Sequence, residues 1–202
     1  PQQNAAALYK EYNKLKAAEQ HLTGLIAEGE RSLDYLNSVL DELERAETER
    51  DISDVRRELI DTGYLRRAKG GKPERVKAQA PYRFVTDDGF EVLVGRSNVQ
   101  NDELTCRLAR RTDMWLHTQR VHGSHVIIRC EGEDVPPRTL EQAASLAAYY
   151  SQGRTAGKVP VDYTMVRNVR KPSGALPGKV IYTEYKTILA EADEELATRL
   201  KK

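Results

Sequence analysis

Two cysteines, one tryptophan and two phenylalanines in 202 residues leave this sequence poor in the side chains that staple or fill a small core. Cys106 and Cys130 stand in no CxxC spacing, which excludes a disulfide framework and a zinc ribbon and fits a reducing compartment. No apolar run approaches the roughly 20 residues of a membrane span, and no basic-then-apolar leader opens the chain. A soluble, intracellular protein of the cytoplasm is expected. Strong charge of one sign is lacking too, since 32 Lys and Arg face 31 Asp and Glu for a net charge of +1. Hydrophobic content of 39% beside 31% charged residues is lean for one compact globule, so a domain with an appendage is the expected plan. The first residue is Pro1 rather than Met and a helical pattern begins almost at once, as in a piece of something larger.

What is present is unevenly distributed. Residues 1–62 hold 14 acidic against 8 basic side chains, whereas residues 63–86 hold seven basic against one acidic. In the acidic stretch Leu8, Tyr12, Leu15, Leu22, Ile26, Leu33, Leu36, Leu40 and Leu43 recur at steps of three and four, interrupted at Glu19 and Gly29. That spacing draws one stripe along a helix and predicts a coiled-coil seam over residues 5–48. A lone helix cannot bury such a stripe, and its acidic remainder points to a solvated surface. A partner helix is required, from a missing segment of a parent chain, from a second copy, or from the short helix expected over residues 51–61. Asp51 or Ser53 would cap that short helix and Gly63 would close it.

Residues 64–81 are basic, glycine-rich and aperiodic, and read as a linker that is either a solvated tether or a phosphate contact. Strand signals follow at 82–86 and 90–94 around Asp-Asp-Gly, then a helix at 98–109, and short strands at 114–116 and 125–129. A helix is expected over 139–152 with Thr139 as its cap, then strands at 162–169 and 179–183 around Lys-Pro-Ser-Gly-Ala-Leu-Pro-Gly. The predicted class is α+β: a long N-terminal coiled-coil helix, then a compact mixed or antiparallel sheet domain with two or more helices. Its divisions are a coiled-coil arm at 1–63, the linker at 64–81, the sheet domain at 82–190 and a polar, helical tail at 191–202.

Residues 113–129 gather the one Trp and three of the four His around a Gly-Ser turn. Alternation places Asp113, Trp115 and His117 on one strand face, so Trp115 either stacks a nucleobase framed by a carboxylate and an imidazole or fills the core. His117, His122, His125 and Cys130 match no standard zinc spacing, and no metal or cofactor is expected. Ser124 with a neighbouring His and Asp113 lacks a nucleophile elbow, which speaks against hydrolysis. Arg96, Asn98, Gln100, Asn101 and Asp102 crowd one strand-to-helix junction, either capping the helix or reading base edges. Arg167, Arg170, Lys171 and Lys179 flank turns that expose backbone N–H groups, with Arg154 and Lys158 in another glycine-containing loop, an arrangement suited to phosphate or an ordinary basic surface.

Several segments in order resemble the C-terminal half of NFACT proteins: Asn4-Ala-Ala-Ala-Leu-Tyr-Lys-Glu-Tyr, Arg57-Glu-Leu-Ile-Asp-Thr-Gly-Tyr, Gly95-Arg-Ser-Asn-Val-Gln-Asn-Asp, Asp113-Met-Trp-Leu-His, Gly123-Ser-His, and Asp162-Tyr-Thr through Lys171-Pro-Ser-Gly-Ala-Leu-Pro-Gly-Lys. The resemblance covers nearly the whole chain and implies the returning arm of a coiled coil followed by an NFACT-R domain. Bacterial members of the family were earlier described as fibronectin- or fibrinogen-binding proteins. Family membership implies ribosome-associated quality control: binding of the large ribosomal subunit that holds a stalled peptidyl-tRNA, and recruitment of alanyl-tRNA for untemplated alanine tailing. Carried onto this chain, it makes Arg96, Asn98, Gln100, Asn101, Asp113, Trp115, His117, Ser124, His125, Arg170, Lys171 and Lys179 the candidate RNA contacts. The expected role is that of a non-catalytic binding module, with an adhesin or an RNA-processing enzyme as the rival readings.

Overall fold

The computed structural model describes residues 2–67 and 79–202, so most of the basic linker expected over 64–81 lies outside the described residues. The chain divides into two compact units, Pro1–Asn37 and Ser38–Lys202. Helix α1, Gln2–Glu44, supplies the first unit and the opening residues of the second. Along the first unit Leu8, Tyr12, Leu15, Leu22, Ile26 and Leu33 are 55–66% exposed, so the periodic stripe is a real helix face that is exposed among the described residues. No helix among the described residues is long and apolar enough to cross a membrane.

In the second unit α1 ends at Glu44, four residues earlier than the pattern suggested, and α2 follows as Glu49–Asp61. The cap of α2 is Thr48, not Asp51 or Ser53. The Asp51 amide donates to Thr48 Oγ1 at 3.2 Å while the Thr48 amide donates to Asp51 Oδ2 at 2.9 Å, closing a reciprocal capping box. Gly63, at φ +86, lies just past the C-cap Thr62 in the left-handed region that favours glycine.

Strands β1 (Tyr82–Val85), β2 (Glu91–Val94), β3 (Met114–Thr118), β4 (Val126–Ile128), β5 (Lys158–Met165) and β8 (Lys186–Glu191) build one antiparallel sheet in the order β1-β2-β4-β3-β5-β8. β6 (Val169–Arg170) and β7 (Ile181–Tyr182) form a separate two-stranded hairpin. The central strand β4 is covered on both faces, which is why it reads as an uninterrupted apolar run rather than an alternating one. One face sends Phe84, Val92, Val94, Leu116, Val126, Ile128 and Val161 into a core closed by α4, Pro137–Tyr149, and α5, Glu194–Leu200. The other sends Leu93, Trp115 and Ile127 against Leu104, Val166 and the hairpin residues Val169, Val180 and Tyr182.

Four local expectations differ from this. Thr139 is not the cap of α4, which starts at Pro137; its side chain is fully buried and bonds Thr86 and, at 2.7 Å, Asp88. β5 runs four residues earlier than expected because Val159 and Val161 are the side chains its inward face can bury. Residues 191–202 are helical as expected, in α5, but they are not a solvated polar tail, since Ala197 and Leu200 are buried in the first core. β8 has no counterpart among the strands expected from the sequence, and it pairs along its whole length with β5.

Candidate nucleic-acid interface

α3, Asn98–Glu103, is capped by Ser97, whose hydroxyl accepts from the Gln100 amide at 3.2 Å, and continues as a π turn, Leu104–Leu108. The amides at this junction are therefore not caps. Asn98, Gln100 and Asn101 are buried, and each is spent on neighbouring structure. Asn98 donates to Ser38 Oγ at 2.9 Å and Glu58 Oε1 at 3.3 Å, and its backbone N–H donates to Glu42. Gln100 accepts from the Arg96 amide at 2.8 Å and donates to the Gln79 carbonyl at 2.6 Å. Asn101 accepts from the His125 amide at 2.9 Å and donates to the Gly123 carbonyl at 3.3 Å. None of the three has its hydrogen-bonding capacity available to a base edge.

Arg96 is withdrawn as well. Its guanidinium makes three bonds of 2.8–3.0 Å to the Asp51 carboxylate and lies 4.0 Å from the Tyr82 ring centroid. The partnership holds Asp51 below the usual carboxylate range, against the opposing pull of burial. Ser124 donates to the Gly95 carbonyl at 2.5 Å and accepts from Arg45 at 3.0 Å. Asp113, fully buried, accepts from the Arg110 amide at 2.8 Å and the Glu131 amide at 3.2 Å. These side chains lace α3, the end of α1 and α2 into the sheet domain. Asp41 and Glu42 are themselves 3% exposed, which corrects the expected solvated acidic surface at the end of the long helix, and Glu58 of α2 is 2% exposed. Burial, with Glu58 close by, raises Glu42 well above its ordinary value.

Trp115 is fully buried, and among the described residues its indole N–H has no hydrogen-bond partner, so what it contributes is ring packing. His117 does share its face as alternation required, stacked at 5.8 Å with an interplanar angle of 16°. His125 meets Trp115 edge-on at 5.3 Å, is 2% exposed and bonds Thr105 through Nδ1 at 2.8 Å. Desolvation lowers both imidazoles, His117 to about 4 even though that residue keeps some exposure, and His125 well below its ordinary value. The histidine cluster is a neutral, packed element. Neither Trp115 nor His125 offers a face to a ligand.

The remaining candidates, Arg170, Lys171 and Lys179, are exposed, and they bracket the β6–β7 hairpin. Asp102 fixes the intervening loop by pairing with Lys171 and accepting the Gly178 amide at 3.2 Å. Gly178 sits at φ +78 with Asn98 Oδ1 so close that any Cβ would collide with it, so the loop's approach to α3 requires glycine there. Between residues 167 and 186 the chain carries Arg167, Arg170, Lys171, Lys179 and Lys186 against the single carboxylate of Glu184, all of them exposed. Two aromatic residues that the sequence reading did not single out share this segment: Tyr182, which packs 4.8 Å from Trp115, and Tyr185, which meets Tyr182 edge-on at 5.2 Å and is 49% exposed. Their only signal was a Tyr-x-x-Tyr spacing beside lysine, which is weak. The opposite character holds near the start of α5, where Glu141, Glu191, Asp193, Glu194 and Glu195 line one acidic recess.

Comparison with known proteins matches the chain to two family models. Residues 1–78 match the family model described as NFACT N-terminal and middle domains, and residues 80–183 match the NFACT protein RNA binding domain. The chain is 37% identical over its whole length to the Rqc2 homolog RqcH of Bacillus subtilis, of which it covers 35%. It is 35% identical over 83 residues, 41% of the chain and 8% of the relative, to the Ribosome quality control complex subunit NEMF homolog of Drosophila melanogaster. The solved C-terminal of the fibronectin/fibrinogen-binding protein from Streptococcus suis superimposes with a TM-score of 0.92 at 39% identity, over 99% of this chain and 79% of that one. The chain thus spans about a third of the length of the curated bacterial relative.

Proposed function

Since the chain belongs to the NFACT family and contains its RNA binding domain, we propose that it is the RNA- and ribosome-contacting module of a ribosome-associated quality control factor working in the cytoplasm. The observation that carries this reading is the exposed basic hairpin, five cations against one carboxylate between residues 167 and 186. A surface of that kind neutralises backbone phosphates with little regard to sequence. The RNAs that fit are those of the large ribosomal subunit and the tRNA bound to it, with alanyl-tRNA recruitment and alanine tailing as the activity of the longer protein. The uncovered stripe of α1 would pair with a helix from the rest of that protein or from a second copy.

The role is binding rather than catalysis, and the engagement of Asp113, Ser124 and His125 in structural hydrogen bonds supports that assignment. A salt titration of tRNA and ribosomal RNA binding tests the reading. Replacing Lys171 and Lys179 together by alanine should flatten the dependence of log affinity on log salt by about two units. An unchanged slope would remove the hairpin from the interface. Fibronectin adhesion that survives high salt would favour the adhesin reading instead.

A further inference from the structure

The β6–β7 segment holds more than charge. Thr164 Oγ1 lies 3.1 Å from the carbonyls of both Thr183 and Glu184, and Asn168 donates to the same hydroxyl at 3.0 Å. The turn so pinned contains Glu184 at φ +51, a left-handed conformation that a glutamate adopts only against a steric cost. Just after it stands Tyr185, half in solvent and edge-on to Tyr182. Tyr182 in turn cannot swing away. Its hydroxyl donates to Asp162 Oδ2 at 2.7 Å, the other oxygen of that buried carboxylate accepts from Thr187 at 2.6 Å, and the ring rests on Trp115, which rests on His117. Ile181 at 42% and Leu189 at 65% exposure add apolar surface close to these rings in sequence.

A strained turn, two tyrosines in edge-to-face contact and a buried aromatic base beneath them amount to a preorganised exposed ring within the basic 167–186 segment, next to Lys186 in sequence. A lysine-rich surface that met only phosphates would have no use for it. We propose that Tyr185, presented by the pinned 183–184 turn and backed by Tyr182, is a stacking site for an unpaired RNA base, so that the hairpin takes a single-stranded segment in preference to a duplex. This inference rests on the RNA reading above and names the form of RNA that the same surface accepts. Base faces are open to an aromatic ring in single strands and hidden in A-form helices, whereas phosphates are available in both.

The test uses the whole chain with an unstructured single-stranded RNA and a duplex RNA of the same length, with affinity read by fluorescence anisotropy across a salt series. Tyr185→Ala should weaken single-strand binding by about tenfold, leave duplex binding and the salt slope as they were, and melt close to the parent because Tyr185 is half exposed. Tyr185→Phe, which keeps the ring, should bind like the parent. Equal affinity of Tyr185→Ala and the parent for the single strand, or an equal loss on both RNAs, overturns the stacking site. Arg170→Ala with Lys179→Ala separates the two levels of the claim. A flattened salt slope in that variant beside an unaffected Tyr185→Ala would sink stacking alone, and an unflattened slope would sink the RNA reading and stacking with it.

Discussion

The α3 junction and the β6–β7 hairpin carry the same kinds of side chain, yet one is closed and the other open. At the junction Arg96, Asn98, Gln100 and Asn101 are buried or partly buried and bonded to the protein itself. At the hairpin the cations and Tyr185 face solvent, with Lys171 paired to Asp102. The difference teaches that residue type nominates a recognition group but burial decides whether it can recognise anything, because a hydrogen bond already made in the interior is costly to give up.

Substitutions that separate stability from RNA affinity sharpen this contrast. Trp115→Ala, at the centre of the second core, should cost about 3–5 kcal/mol, read as a large fall in the midpoint of denaturant unfolding. A variant with near-native melting and lost RNA affinity would move Trp115 from architecture to interface. Arg96→Ala leaves Asp51 without its partner in a mostly buried pair and should cost about 3 kcal/mol, with the salt slope of RNA binding unaltered in whatever fraction stays folded. A slope that flattened would break the division of labour.

Acidity provides a third lever. Glu42 titrates above its ordinary 4.5 in the folded chain, so its contribution to stability is complete below that value and is lost as pH rises through the raised one. His117 goes the other way: lowered from 6.5 to about 4, it contributes fully above 6.5 and its share is lost as pH falls towards 4. The two groups act in opposite senses: above pH 4.5 Glu42 pulls the unfolding free energy down as pH rises, while between pH 4 and 6.5 His117, with His125 lowered in the same direction, pulls it up. Glu42→Gln keeps an acceptor for the Asn98 amide and should make stability rise more steeply, or fall less, with pH above 4.5 than in the parent, as measured by melting between pH 4 and 8. Parallel profiles for variant and parent would show that Glu42 does not contribute to the pH dependence. The smallest expected effect on stability belongs to Arg170→Ala, within about 0.5 kcal/mol, although it should remove about one unit from the salt slope.

Much of the fold was legible. The three-and-four spacing of leucines predicted α1, and the Asp-Asp-Gly turn between two apolar runs predicted the β1–β2 hairpin, because both patterns follow from the geometry of a single element. β8 was not legible, since Lys-Thr-Ile-Leu-Ala-Glu becomes a strand only beside β5. The Thr48 capping box was readable in principle from Thr-x-x-Asp, but it sits where the helical stripe had not visibly ended. Of the proposed contacts, Arg170, Lys171 and Lys179 are where a ligand can reach them, while the amides, Arg96, Asp113, Trp115, Ser124 and His125 are packed.

By itself the sequence determined the helix with its unburied stripe, the α+β class and the family, because periodicity, turn chemistry and ordered motifs are properties of short stretches of chain. Only the tertiary structure decided which polar groups are spent and which are offered. That choice depends on partners distant in sequence: Ser38 and Glu58 for Asn98, Asp51 for Arg96, Trp115 beneath Tyr182. A carboxylate on a helix looks the same in the sequence whether it meets water or an asparagine, and the two cases differ by the whole cost of its desolvation.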